Sequence, residues 1–351
     1  MLVVAPLSDP GEVVPLCEAG ADELYCGVLT EAWREAYTPM QSPNRRDVAR
    51  ASLGSFDELA DVVRAAHARG VRVSYVSNVH YEPSQYAPAL ADVGAAVSAE
   101  VDAVVVADLG FAHALRRTGT GGEVDLQVST VASIYSSAAA RPWARLGARR
   151  VILPRDLTLA EAGRLSAALA GLGLGAEALA FNMVCKFSDG FCAHDHGGAE
   201  WDGVRTARPE DRELPLQIEG AIMRPSLLNL VANRVGKDGM GQACMLPYEV
   251  EVVQQPEGAG AAVAEAFDTA SALWTHLDGC AGCQLPRLAA AGVAAVKIVG
   301  RVLPRERKVA DVRFARAAMG LGAAGDGARD AVRALHRDVY GHDCSGFCYY
   351  G

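Results

Sequence analysis

The segment LPRLAAAGVAAVKIVG, residues 285–300, contains a helical pattern followed by a short apolar strand. The helix is predicted over 285–291, and the strand over 295–300 is almost continuously apolar. Strands of this kind, each preceded by a helix, are typical of a parallel sheet that helices cover on the outside. This strand is the eighth of its kind in the chain, and eight repeated units favour a closed barrel over an open sheet.

The other seven predicted strands come earlier in the chain, with helical patterns between them. They span residues 2–6, 23–27, 71–78, 103–108, 123–130, 150–156 and 177–183. Ser55 with Glu58, and Thr158 with Glu161, have the spacing of capping boxes that begin helices. We therefore predict an α/β fold of the (β/α)8 TIM-like barrel type. An open doubly wound sheet is the alternative, although no G-x-G-x-x-G motif follows the first strand.

The predicted barrel divides into four segments along the chain. Residues 1–184 hold the first seven βα units, and residues 185–257 form a cysteine-containing insertion between strands seven and eight. Residues 258–320 hold the last helix, the eighth strand and the closing helix, and residues 321–351 hold a C-terminal helix and a tail with two cysteines. The insertion leaves from the C-terminal end of strand seven, the face on which barrel enzymes have their active sites. Long irregular insertions in compact domains are usually functional.

The composition excludes several classes of protein. Hydrophobic residues make up 50% of the chain and charged residues 21%, which is typical of a folded soluble protein, and no apolar run is long enough to cross a membrane. The net charge of −9 disfavours nucleic acid as a partner, because such binding depends on Lys and Arg neutralising phosphates. The first residues lack the basic region of a signal peptide, so we expect a cytoplasmic protein.

Cysteines are concentrated in the last half of the chain. Seven of the nine come after the start of the seventh strand, in polar loops that contain glycine, and only Cys17 and Cys26 have the setting of buried hydrophobic residues. Clustered cysteines in a cytoplasmic protein indicate metal or redox chemistry rather than a disulfide framework. All-thiolate sites bind zinc or an iron–sulfur cluster, and the spacing alone leaves both metals open. The candidate ligands are Cys185, Cys192, Cys244, Cys280, Cys283, Cys344 and Cys348.

Five segments of the chain resemble peptidase family U32, the collagenase-like group. They are AGADELYCG (19–27), VDAVVVADLG (101–110), LQVST (126–130), VILPRDLTL (151–159) and LPRLAAAGVAAVKIVGR (285–301). The family also contains oxygen-independent hydroxylases of ubiquinone precursors and of RNA bases. The resemblance therefore implies a barrel enzyme, either a hydroxylase or a peptidase.

The resemblance also implies a ligand set for a 4Fe–4S cluster. The family signature places two cysteines around a Ser-Gly turn, and the segment from Cys185 to Cys192 matches it with Asp189 standing between Ser188 and Gly190. Two later family motifs are similar to 244–248, which begins with a cysteine, and to 278–280, which ends with one. In the hydroxylase-like members, four cysteines from these regions bind the cluster. The implied ligands are Cys185, Cys192, Cys244 and Cys280.

Three departures from the family pattern bear on that ligand set. Phe181-Asn182 stand where the family has His-Gly, Met240 stands where a further cysteine often precedes Cys244, and Val299 stands where the family has Glu. Cys244 is therefore the ligand with the weakest match. Its candidate substitutes are Cys283, Cys344 and Cys348, and zinc is the alternative to the cluster.

The resemblance implies an iron–sulfur oxidoreductase that hydroxylates an organic substrate, with prephenate as the oxygen donor. The substrate, a small molecule or a peptide, is expected at the C-terminal ends of the barrel strands. One alternative is a peptidase. The other is a non-catalytic subunit that pairs with a second family member as a heterodimer. No Ser-His-Asp order, H-E-x-x-H or phosphate loop is present in the sequence. The candidate substrate-binding residues are Asn78, Asp108, Ser129, Arg155, Lys297 and Arg301.

Overall fold

The structure is a computed structural model of the chain. It describes residues 1–37, 42–45, 51–121, 124–182, 189, 216–218, 221–225, 248–252, 279–321, 326–344 and 348–350. The predicted ligands Cys185, Cys192 and Cys244 lie outside the described residues.

Eight parallel strands close into a barrel, which confirms the predicted (β/α)8 fold. The order around the barrel is β1-β11-β7-β6-β5-β4-β3-β2. The strand of segment 285–300 therefore lies between the seventh strand and the first. The strands of the described residues are β1 (Leu2–Pro6), β2 (Glu23–Cys26), β3 (Arg72–Ser77), β4 (Ala103–Val106), β5 (Asp125–Val128), β6 (Ala148–Ile152), β7 (Gly175–Phe181), β8 (Leu216–Ile218), β9 (Ala221–Pro225), β10 (Tyr248–Val252) and β11 (Ala295–Ile298).

Helices connect the barrel strands and cover them on the outside. In the part of the chain that the structure describes, seven lie between β1 and β7, one precedes β11, and two follow it. Within the described residues they are α1 (Val13–Glu18), α2 (Glu31–Ala36), α3 (Phe56–His67), α4 (Tyr86–Ser98), α5 (Leu109–Thr118), α6 (Ser137–Arg145), α7 (Leu159–Ala170), α8 (Leu285–Ala290), α9 (Arg305–Gly320) and α10 (Asp326–Tyr340). None of them combines the length and apolar character that crossing a bilayer requires.

The two predicted helix starts differ in detail. At α7, the capping box is complete, because Thr158 Oγ1 accepts from the Glu161 N–H and the Glu161 carboxylate accepts from the Thr158 N–H at 2.8 Å. At α3, Ser55 Oγ accepts from the Glu58 N–H at 3.2 Å, but the Glu58 carboxylate accepts from the Gly54 N–H instead. A capping box would have the Glu58 carboxylate accept from the N–H of Ser55, so the observed bond to Gly54 lies one residue earlier.

Several strand boundaries also differ from the prediction. β6 and β7 begin two residues earlier, because Ala148 pairs with Leu126 and Gly175 pairs with Arg150. β4 ends at Val106 rather than at residue 108, because Asp108 caps the helix that follows. The insertion showed few periodic runs in sequence, yet β8, β9 and β10 form an antiparallel sheet within it.

Four charged side chains occupy the interior of the barrel. β2 and β6 lie on opposite sides of the barrel, so the contact between Glu23 and Arg150 (2.5 Å between Oε2 and Nη2) runs across the interior. Arg150 Nε lies 3.1 Å from Glu177 Oε2, and Lys297 Nζ donates to Glu177 Oε1 at 3.1 Å. Each of these side chains is at most 10% exposed. Two acids and two bases therefore alternate in a buried chain whose charges cancel.

Polar neighbours hold Glu23 at one end of this chain. Ser74 Oγ and Gln127 Nε2 both donate to Glu23 Oε1. Burial alone would raise the pKa of Glu23, but the charge and hydrogen bond of Arg150, together with these two donors, outweigh burial and lower it. The carboxylate is therefore the native form, as an alternating ion chain requires.

Candidate functional site

The C-terminal mouth is the barrel end at which residues 78, 129, 155, 182 and 301 follow β3, β5, β6, β7 and β11. At this end the chain re-enters the barrel beside β7. Cys280 forms an antiparallel β-bridge with Phe181, and the flanking bonds are Asn182 N–H to Gly279 O at 2.9 Å and Ala281 N–H to Ala180 O at 2.8 Å. The backbone pairing therefore fixes Cys280 at the mouth.

Four cysteines gather beside the end of β7. Cys280 forms a second, parallel bridge with Cys348 of the tail, and burial raises the pKa of the Cys280 thiol to about 12, with a further upward contribution from Cys344, Cys283 and Cys348. Burial and then Cys348 raise the pKa of Cys283, against the opposing charge of Arg329. All four thiols are free. Within the described residues, no three His, Cys, Asp or Glu side chains are arranged to hold a metal ion.

A hydrogen bond within the Cys280–Cys283 turn partly offsets the effect of burial on the pKa of Cys280. The Gly282 N–H donates to Cys280 Sγ at 3.3 Å, and this bond lowers the pKa of Cys280 against the effect of burial. The thiolate is the form in which cysteine binds metals, and hydrogen bonds to the sulfur stabilise it. The turn also requires glycine for a steric reason, because a Cβ at Gly282 would lie 2.7 Å from Phe314 Cζ of α9.

We predict that Gly282→Ala destabilises the protein by about 1–3 kcal/mol, because the Phe314 ring must move to admit a methyl group. Urea unfolding measures the loss. Gly320→Ala is the matched control, since a Cβ at the end of α9 meets nothing within 4 Å, and we expect a change below about 1 kcal/mol. Equal unfolding midpoints for the two variants would contradict the prediction.

Asp189 is attached to the ends of β5 and β6. It is 7% exposed, and its carboxylate accepts from Arg155 Nε and Nη2, each at 3.0 Å from Oδ1, and from the Arg155 N–H at 3.0 Å from Oδ2. Thr130 Oγ1 donates to Oδ2 at 2.7 Å, and Ser133 Oγ donates to the Asp189 carbonyl. We name this arrangement the Asp189 clamp.

The clamp residue is close in sequence to two predicted ligands. Cys185 is four residues before Asp189 and Cys192 is three residues after it. Both cysteines lie outside the described residues, so their assignment as ligands stays a prediction. In the sequence, Asp189 is recognisable only as the residue between Ser188 and Gly190. Its pairing with Arg155, 34 residues earlier, depends on the fold and could not be predicted from sequence alone.

The tail closes over the end of β7. Tyr349 OH donates to Asn182 O at 2.6 Å, and Tyr350 OH donates to Leu179 O at 2.9 Å. Burial raises the pKa of Tyr350, Tyr349 and Asp189 add to the rise, and Arg155 opposes it. The clamp, the tail and Cys280 therefore occupy one side of the mouth.

Asn182 stands where the resembled family has glycine. Its φ of 62° lies in the left-handed region, which Gly and Asn tolerate better than other residues. The side chain also binds α9, because Nδ2 donates to Asp311 Oδ2 at 2.7 Å and Oδ1 accepts from Arg307 Nη2 at 2.8 Å. The substitution thus keeps the backbone conformation and adds a connection between β7 and α9.

Two of the predicted substrate-binding residues meet at the mouth. Asn78 Nδ2 donates to Ser129 Oγ at 3.0 Å, and among the described residues Asn78 Oδ1 has no hydrogen-bond partner. Asp108 instead has a structural role, because its carboxylate caps α5 through the Phe111 N–H at 2.9 Å and accepts from the Tyr81 N–H at 3.1 Å.

The three predicted basic residues have partners within the chain. Arg155 binds Asp189 in the clamp. Lys297 is 7% exposed, lies in the barrel interior on Glu177, and has its Nζ 3.7 Å from the centre of the Tyr25 ring. Arg301 is 6% exposed, and its Nη2 donates to the Asn44 backbone carbonyl at 2.9 Å. Sequence analysis did not identify Glu23, Arg150 and Glu177, although a charge within an apolar strand is a usable signal.

The chain is similar to several known proteins. The family profile of peptidase family U32 matches residues 9–205 and 220–349. The structure of the U32 peptidase Mk0906 is 18% identical, with a TM-score of 0.38, over 53% of this chain and 70% of that chain. Dihydrodipicolinate synthase from Agrobacterium tumefaciens is 14% identical, with a TM-score of 0.35, over 51% and 63%. Citrate synthase SbnG is 11% identical, with a TM-score of 0.34, over 51% and 77%. No curated protein sequence matches the chain significantly.

Proposed function

The chain belongs to peptidase family U32, and from that premise we propose that it is a 4Fe–4S-dependent oxidoreductase that hydroxylates an organic substrate without O2. The substrate class is a small molecule or a peptide, and prephenate is the proposed oxygen donor. A second family member is the proposed partner, as in the heterodimers of some relatives.

One observation carries this proposal. Cys280 is fixed at the C-terminal mouth by backbone pairing with Phe181, and Asp189, which stands between Cys185 and Cys192 in the sequence, is bound by Arg155 at the same mouth. Both contacts lie on the face on which barrel enzymes perform their chemistry, which supports the proposal that thiolates from two distant parts of the chain meet there.

The thiol donor set suits the proposed cluster. Thiolates select iron–sulfur clusters or zinc, and the Gly282 N–H bond to Cys280 Sγ is the kind of contact that tunes a cluster. The proposed ligands are Cys185, Cys192, Cys244 and Cys280, with Cys283, Cys344 and Cys348 as the proposed substitutes. A bound 4Fe–4S cluster would supply one-electron redox chemistry at the mouth.

The chain's own polar groups would orient the substrate beside this centre. Asn78 Oδ1 is buried and offers an acceptor, while Asn78 Nδ2 is already used by Ser129. A buried acceptor favours a ligand that donates a hydrogen bond, since leaving it unpaired costs free energy. Arg155, Lys297 and Arg301 would act less directly, because each is already bound within the chain.

Metal analysis of anaerobically purified protein tests the proposal. We expect about four iron and four sulfide per chain with the visible spectrum of a 4Fe–4S cluster. Cys280→Ser should lose most of the iron, whereas Cys17→Ser, which alters a partly buried thiol of α1, should retain it. Zinc in place of iron would refute the cluster assignment. Full iron content in Cys280→Ser would refute Cys280 as a ligand.

A peptidase is the second candidate, because the family is named for that activity. Hydrolysis of gelatin by the wild-type protein after complete removal of iron would favour it. Hydrolysis is expected to be absent if the redox proposal is correct.

A further inference from the structure

Cys280 and Cys348 are backbone neighbours although they are far apart in sequence. They face each other in a parallel β-bridge, and the Tyr349 N–H donates to Cys280 O at 3.1 Å. Neighbouring strands lie about 4.8 Å apart, and paired residues project their side chains to the same face. The two Cβ atoms therefore face the same way at the distance of adjacent strands.

This spacing suits a disulfide. Disulfides form between cysteines whose Cα atoms are about 4.4–6.8 Å apart and whose Cβ vectors do not diverge. Both thiols are free and partly exposed, so a small reagent can reach them. Among the described cysteines, Cys280 shares a β-bridge with Cys348 and not with Cys283 or Cys344.

Two buried hydrogen bonds hold the tail in this position. Tyr349 OH donates to Asn182 O at 2.6 Å and Tyr350 OH donates to Leu179 O at 2.9 Å, immediately after Cys348. The backbones of the two cysteines are thus paired by the fold before any reaction, and a preformed arrangement raises the rate of an intramolecular step.

We propose that Cys280 and Cys348 form a redox-active dithiol that low-molecular-weight disulfides such as oxidised glutathione convert to a disulfide. One protein thiolate attacks a sulfur of the small disulfide, which forms a mixed disulfide and releases one small thiol. The second protein thiolate attacks the protein-side sulfur, which forms the Cys280–Cys348 bond and releases the second small thiol. The dithiol loses two electrons and two protons, and the small disulfide gains them.

The dithiol gives the tail a regulatory role at the mouth. Because Cys280 is a proposed cluster ligand, the disulfide and the cluster would exclude each other, and this consequence rests on the proposed function. The dithiol itself requires no metal. Disulfides in cytoplasmic proteins are usually transient and redox-sensing, and a centre at the mouth fits that use.

Peptide mapping of the metal-free protein tests the dithiol. The protein is treated with oxidised glutathione, remaining thiols are blocked, and proteolytic peptides are analysed by mass spectrometry without reduction. We expect a peptide that links Cys280 to Cys348 in the wild type and in Cys344→Ser, and its loss in Cys348→Ser. A wild-type link from Cys280 to Cys283 or to Cys344, or no intramolecular link, would overturn the proposal.

The same treatment of iron-loaded protein tests the exclusion. We expect the Cys280–Cys348 link to form only after a chelator removes the iron. Formation at the same rate with iron bound would overturn the exclusion. A protein that never binds iron but still forms the link would refute the proposed function and leave the dithiol intact.

Discussion

Glu177→Gln is expected to destabilise the barrel by about 3–5 kcal/mol, the cost of removing one partner from a buried ion pair. Glu177 is fully buried between Arg150 and Lys297, and each contact is 3.1 Å. The neutral amide would leave Lys297 in the interior without its carboxylate. Urea unfolding at neutral pH measures the loss, because the midpoint falls in proportion to the free energy of unfolding.

Asp125→Asn provides the matched control for Glu177→Gln. Asp125 also lies between two bases, Arg72 at 2.7 Å and Arg149 at 3.9 Å, but at the start of β5 with 36% of its side chain exposed. We expect a change of at most about 1 kcal/mol, since exposed ion pairs contribute little. Similar losses of unfolding free energy in both variants would contradict the prediction that the buried bases depend on Glu177.

Asp189→Ala is expected to cost about 3 kcal/mol and to lower the iron content of the protein. The substitution removes the carboxylate that accepts three bonds from Arg155 and one from Thr130, in a site that is 7% exposed. Without the clamp, residue 189, which stands between two proposed ligands in the sequence, is no longer attached to the ends of β5 and β6. Urea unfolding and iron analysis after anaerobic purification report the two effects separately.

Two comparisons make the Asp189 result specific. Asp343→Ala removes an acid that pairs with Arg337 but is 79% exposed, so its effect should stay below about 1 kcal/mol. Combining Asp189→Ala with Arg155→Met should cost less than the sum of the single changes, because both remove the same contact. Additive losses, or full iron in Asp189→Ala, would contradict the positioning role.

The barrel could be predicted from the sequence because its strands are local patterns. The apolar runs and the capping residues Thr158 and Ser55 are visible over a few positions. They placed all eight barrel strands, with every end within about two residues except the end of β6, which is at Ile152 rather than at residue 156. Strand ends were predicted less accurately where pairing with the neighbouring strand decides them, as at Ala148 and Gly175. Such contacts depend on the neighbouring strand, which local sequence does not specify.

The site was predictable in its location but not in its contacts. The resemblance to family U32 is confirmed by the family profile, and Cys280 does lie at the C-terminal mouth. Arg155 and Lys297, which were predicted to bind substrate, are paired with Asp189 and Glu177. Both pairings join strand ends or strands that are distant in sequence, so spacing could not identify them. The assignments of Cys185, Cys192 and Cys244 remain predictions.

The anchoring of the tail has a practical consequence for every experiment proposed above. Tyr349 and Tyr350 are bound at the end of β7, so residues appended after them would start at the C-terminal mouth. Leu2 begins β1 at the opposite end of the barrel. An affinity tag, and above all a metal-binding histidine tag, should therefore be fused to the N-terminus, where it cannot compete for iron or obstruct the mouth.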